Sequence, residues 1–122
     1  MGIKRLGQSF KFAGKGLWLT FREEQSFRIQ VLAMTVIVVF MIVFPLGVIE
    51  RLLLVAVIVA VLVLEIINSI FERIVDVYKP RLNPYVKDIK DMMAAAVLVA
   101  SIGAVVIGVM IFYPHVLNIW IK

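Results

Sequence analysis

LLLVAVIVAVLVLEIINSIFERIVD, residues 52–76, decides the fold: from Leu52 to Leu64 every side chain is hydrocarbon, and then carboxylates and an amide begin on the same segment. An ionisable group inside a membrane helix costs several kcal/mol unless it is paired or hydrated, so Glu65 reads first as a functional group rather than as packing. At about 100° per residue, Glu65, Asn68, Ser69, Glu72 and Asp76 fall within one face of a helix. One helix therefore carries a polar stripe from inside the bilayer out to the water.

Working outward, the surroundings are equally apolar. The 122-residue chain is 63% hydrophobic with a mean hydropathy of +1.06, far above a soluble domain. Residues 31–49, 52–71 and 92–113 each meet the length of about 20 apolar residues needed to cross a bilayer. The reading is an all-α integral membrane protein, one domain over residues 1–122, with residues 1–28 as a surface-helix region ahead of the three spans. Only Glu50 and Arg51 separate the first two spans, which predicts a tight hairpin there, with a connector near residues 77–89 before the third. That leaves no room for a soluble catalytic domain. The first apolar run is too long and too far from residue 1 for a cleaved leader. The absence of Cys excludes disulfides and thiolate metal sites.

Charge gives the orientation. Lys4, Arg5, Lys11, Lys15, Arg22 and Arg28 precede the first span, and Arg73, Lys79, Arg81, Lys87 and Lys90 lie between the second and third; the other side has Arg51 and Lys122. The N-terminus and the 73–91 connector are expected on the cytoplasmic side of a multi-pass protein. The net charge of +5 then serves topology and anionic headgroups. No basic groove interleaved with aromatics points to nucleic acid.

Ile3, Leu6, Gly7, Phe10, Gly14, Leu17, Trp18 and Phe21 recur at helical intervals with Lys4, Arg5, Lys11 and Lys15 elsewhere around the wheel. This is the pattern of an amphipathic helix lying in the cytoplasmic interface, either as an anchor or as a wall where a lipid headgroup is met. Acidic residues are as lopsided as basic ones: Glu23, Glu24, Glu65, Glu72, Asp76, Asp88 and Asp91 gather toward the cytoplasmic side, with Glu50 opposite. Glu24 and Glu72 are the natural pair for Mg²⁺, which takes one or two protein carboxylates and keeps other positions for water and phosphates. The structural alternative is a salt bridge to Arg28, Arg73 or Lys90.

Glu65 lies two turns deeper than Glu72. Desolvation penalises an ionised carboxyl, and a carboxylate tuned in this way accepts a proton from a hydroxyl. The residues alone leave open a general base, a carboxyl bonded to a neighbouring helix, a proton-coupling site of a small transporter and a channel gate. His115, on the far side, is expected to have no carboxylate near it and reads as an interfacial residue. Ala94, Ala95, Ala96, Ala100, Ser101, Gly103, Ala104 and Gly108 allow close helix packing, while Tyr113 and Trp120 suit the far interface.

The run Glu65-x-x-Asn68-Ser69-x-x-Glu72-x-x-x-Asp76, followed by Lys90-Asp91-x-x-Ala94-Ala95-Ala96-Val97-Leu98, resembles the signature of the prokaryotic diacylglycerol kinase family, which includes the undecaprenol kinases. The likeness extends upstream to residues 9–18 and Glu24-Gln25-Ser26-Phe27-Arg28 and downstream to Ile111-Phe112-Tyr113-Pro114, covering nearly the whole chain.

The resemblance implies an ATP- and Mg²⁺-dependent lipid kinase with three transmembrane helices and an N-terminal surface helix, assembled as a homotrimer with composite sites at subunit interfaces in the bacterial plasma (inner) membrane. Carried over by position, Glu65 is the base for the lipid hydroxyl, Asn68 positions the reacting groups, and Glu24 with Glu72 holds the metal of Mg-ATP. Lys90 and Asp91 match a pair near the nucleotide phosphates, and Arg5 a position near the site mouth. Where relatives commonly carry a different element, this chain reads Pro80-Arg81-Leu82-Asn83-Pro84-Tyr85, which makes Arg81 and Asn83 the substitute nucleotide contacts. No glycine-rich phosphate loop occurs, and phosphoryl transfer by positioning, metal and cation needs none. The implied acceptor is a membrane lipid alcohol; the wording of residues 9–18 and the Phe-Tyr-Pro ending lean toward undecaprenol over diacylglycerol. The rival readings are a small proton-coupled transporter, or a non-catalytic membrane subunit, using Glu65.

Overall fold

The computed structural model describes residues 2–77 and 84–121, which form four helices: α1 (Gly2–Glu23), α2 (Gln25–Val43), α3 (Val48–Val77) and α4 (Pro84–Ile121). The all-α reading holds, and α2, α3 and α4 are each long and apolar enough to cross a membrane.

Helix α1 buries none of its residues. Ile3, Leu6, Phe10, Leu17, Trp18 and Phe21 stay exposed along it, as an amphipathic surface helix requires. The chain leaves helical geometry at Glu24, whose backbone is extended at φ −106° and ψ 108°, and re-enters a helix at Gln25. The second helix thus starts earlier than residue 31, and residues 25–28 belong to it rather than to the surface segment. Polarity masks this start, because Arg28 counts among the charges ahead of the apolar run rather than as part of a helix. Its guanidinium instead turns back and donates to the carbonyls of Phe21 at 3.0 Å and Arg22 at 2.6 Å, satisfying two of the acceptors that the end of α1 leaves open.

The hairpin between α2 and α3 lies elsewhere than at Glu50 and Arg51. Pro45 disfavours helical backbone in the residue before it, and Phe44 is extended at φ −87° and ψ 145°, so the turn occupies residues 44–47. Glu50 and Arg51 lie in the first turns of α3 and act on its start. Glu50 Oε1 accepts the Gly47 N–H at 2.9 Å, half of a capping box, and Arg51 Nε donates to the Leu46 carbonyl at 3.3 Å. The connector before the third span is shorter than expected, because α4 begins at Pro84, a favoured first residue for a helix. At its other end α4 runs through Pro114 to Ile121.

Helix α3 is the axis of the bundle and packs most extensively on α4. Its buried positions, Leu54, Val61, Glu65, Asn68, Ser69 and Val75, follow steps of seven, four and three, the spacing of a helix seam. Leu54 packs with Met41, Leu46 and Ile111, and Val61 with Met34 and Ala104. Above Val61 the same seam turns polar.

Candidate functional site

Glu65 is the first polar group on that seam and is only 3% exposed. Its backbone carbonyl accepts the Ser69 hydroxyl at 3.1 Å, a local bond one turn along the helix. Among the described residues no side chain bonds to its carboxylate. The reading of Glu65 as a bond to a neighbouring helix therefore has no partner here. Glu72 and Glu24 both lie near enough for their charges to act on Glu65.

Asn68 comes next, 8% exposed. Its amide Nδ2 donates to Glu72 Oε1 at 3.2 Å, fixing that carboxylate from one turn below. Its Oδ1 is buried without a hydrogen-bond partner. A buried acceptor of this kind costs about 1–3 kcal/mol, which a hydroxyl or a cation at that oxygen would relieve. Glu24, Glu72 and the unpartnered Asn68 Oδ1 offer oxygen donors, the kind Mg²⁺ accepts, with Glu72 held directly by Asn68. Among the described residues no group of three or more His, Cys, Asp or Glu is gathered for a metal; a cation shared with nucleotide phosphates needs only one or two.

Glu24 occupies the N-cap position of α2, yet its side chain makes no capping bond. It faces Arg73 instead, which donates to Glu24 Oε1 at 3.5 Å and to Glu23 Oε2 at 2.7 Å. The salt-bridge alternative for Glu24 is thus realised with Arg73, while Arg28 is engaged on carbonyls. The Arg73 hydrogen bond holds the Glu23 carboxyl below its ordinary range. Sequence reasoning missed the Glu23 to Arg73 contact because fifty residues separate the two and no local spacing encodes it.

Beside this cluster α1 and α3 enclose a cleft of about 340 Å³. Its walls are mostly apolar, from Ala13, Leu17, Ile66 and Ile70, with Glu24, Ser69 and Arg73 toward its polar end.

The remaining candidates are less closely gathered. Lys90 on α4 reaches Asp76 on α3 at 3.6 Å, one helical turn beyond Glu72, which sets an ammonium at the polar end of the seam. Asp91 pairs with Lys87 at 3.2 Å. Arg5 is exposed and stands about 28 Å from Glu24 along α1 at 1.5 Å per residue, so its own chain does not bring it to the acids. Arg81 and Asn83 lie outside the described residues.

At the opposite end of the bundle the expectation for His115 is overturned. Its Nε2 lies 3.3 Å from Glu50 Oε2, a contact across 65 positions that sequence distance concealed. No third His, Cys, Asp or Glu joins the pair among the described residues.

Comparison with known proteins points one way. The family model for prokaryotic diacylglycerol kinase matches residues 11–112. Undecaprenol kinase of Bacillus subtilis (strain 168) is 31% identical over 92% of this chain and 91% of its own length. Diacylglycerol kinase of Escherichia coli (strain K12) is 31% identical over 93% of each chain, and that of Pseudomonas aeruginosa is 33% identical over 81% of this chain and 80% of its own.

Proposed function

The chain belongs to the prokaryotic diacylglycerol kinase family and is a lipid kinase of the diacylglycerol and undecaprenol kinase type, and we propose that it moves the γ-phosphoryl group of ATP to the hydroxyl of a membrane lipid alcohol at the polar end of α3. Membership removes the transporter reading of Glu65.

In this proposal the lipid hydroxyl arrives laterally within the bilayer and ATP arrives from the cytoplasm. The hydroxyl oxygen attacks the γ-phosphorus, the bond to the β–γ bridging oxygen breaks, and ADP leaves. Glu65 takes the hydroxyl proton; the carboxylate that has no bonded side chain is the observation that carries this role. Asn68 orients the reacting groups through its free Oδ1 while its Nδ2 steadies Glu72. Glu24 and Glu72 would hold Mg²⁺, which would supply neutralisation of the phosphate charge. Lys90 contacts a phosphate after exchanging Asp76 for it, and Asp91, Arg81 and Asn83 complete the nucleotide contacts.

The acceptor we favour is undecaprenol over diacylglycerol, on the wording of residues 9–18 and the Phe-Tyr-Pro ending of the resemblance. The family resemblance supports the bacterial plasma (inner) membrane as its location, and the distribution of Lys and Arg supports a cytoplasmic N-terminus and 73–91 connector. The whole chain serves as one lipid-kinase domain. A homotrimer is supported by small residues that the chain itself leaves unused: Ala94, Ala95 and Ala96 are exposed, and a side chain built at Gly103 or Gly108 meets nothing within 4 Å.

The test is purified protein in lipid nanodiscs with Mg-ATP and either undecaprenol or diacylglycerol. Phosphorylated prenol forming faster than phosphatidic acid is expected. The reverse order would move the acceptor to diacylglycerol, and no phosphorylated lipid from either alcohol would overturn the proposal.

A further inference from the structure

Three charged groups meet where α1, α2 and α3 converge, and the bonds between them are unequal. Arg73 is 2.7 Å from Glu23 but 3.5 Å from Glu24. The shorter bond goes to the more exposed acid, since the Glu23 side chain is 40% exposed and the Glu24 side chain 22%. Solvent screens the first pair more than the second, so charge alone would draw the guanidinium toward Glu24. Its position therefore reflects the hold of Glu23. Among the described residues the Glu24 side chain bonds to this guanidinium alone, since it stands at an N-cap without capping there.

We propose that Arg73 is a positioning residue for Glu24: a guanidinium that neutralises the carboxylate when no cation is bound and that Glu23 holds aside so that a divalent cation can replace it. The inference rests on the proposed metal role of Glu24 and Glu72. Two opposite consequences follow from the geometry. Removing the charge at Arg73 leaves Glu23 and Glu24 unneutralised beside Glu72, and the cation binds more tightly. Removing the charge at Glu23 releases Arg73 onto Glu24, and the cation binds more weakly. A contact that merely fastens α1 to α3 would move both variants the same way, because either substitution breaks the same 2.7 Å bond.

The experiment measures Mn²⁺ binding by electron paramagnetic resonance to the full chain in lipid nanodiscs with ADP present. Arg73→Gln is expected to lower the half-saturating Mn²⁺ concentration and Glu23→Gln to raise it, each by about two- to fivefold, the scale of a half-exposed ion pair. Arg73→Lys, which keeps the charge, is expected to stay near the parent. Glu24→Gln and Glu72→Gln serve as the separate check on the metal reading, and both are expected to weaken binding. If those two leave Mn²⁺ binding unchanged, the metal reading fails and this inference fails with it. If they weaken it while Arg73→Gln and Glu23→Gln shift together, or not at all, the positioning role alone is refuted.

Discussion

Glu65 and Glu72 sit two helical turns apart on one seam, and their surroundings divide the work between them. Glu65 is buried and, among the described residues, has no side chain bonded to its carboxylate, whereas Glu72 is half-buried and held by Asn68. Replacement by the isosteric amide separates the roles. Glu65→Gln is expected to cut lipid phosphorylation by about 10²–10⁴, the contribution of a positioned general base, with nucleotide affinity in a filtration or fluorescence assay within about twofold. Glu72→Gln is expected to raise the Mg²⁺ concentration needed for half-maximal rate by about tenfold or more, since one of two charged ligands is lost. If Glu65→Gln turns over at the parent rate, the base lies elsewhere. These acids were legible in the sequence because a carboxylate in a hydrocarbon run is anomalous at any depth. The pairing of Glu23 with Arg73 was not, since Glu23 looks like an ordinary solvated charge until the fold joins residues fifty positions apart.

At the scale of elements, hydropathy located the helices but misplaced their ends. The apolar count begins the first span at residue 31 and ends it at residue 49, while the backbone begins α2 at Gln25 and stops it at Val43. Hydrogen bonding and Pro45 set those limits, and neither depends on hydropathy. The same turn explains why Glu50 is polar on an apolar surface. One of its oxygens caps Gly47 and the other faces His115 on α4, so a single side chain joins the start of α3 to the last turns of α4. Glu50→Ala loses both contacts and His115→Ala only one. The first is expected to lower the unfolding temperature by about twice as much as the second, since it removes two hydrogen bonds rather than one. Thermal unfolding in mild detergent checks the order; equal losses would show that the cap contributes nothing beyond the His115 contact.

For the whole molecule the distance of Arg5 from the acids becomes a prediction about assembly. In one chain the acids of the seam share α3 with each other and meet Glu24 at the head of α2, whereas Arg5 stands about 28 Å from Glu24 along α1. A nucleotide contact by Arg5 is therefore expected at the site of a neighbouring copy. Two inactive variants co-assembled in one oligomer therefore behave differently according to where their defects lie. Arg5→Ala mixed with Glu65→Gln yields some sites that combine an intact α3 from one chain with an intact Arg5 from another, and activity returns. Glu65→Gln mixed with Glu72→Gln yields none, because both defects lie on α3 and every copy of that helix carries one. Refolding each pair together into nanodiscs and measuring lipid phosphorylation distinguishes the cases. Recovery in the first mixture alone is expected. No recovery in either would mean that Arg5 and the seam do not combine across copies, and recovery in the second would mean that the acids on α3 divide their work between copies.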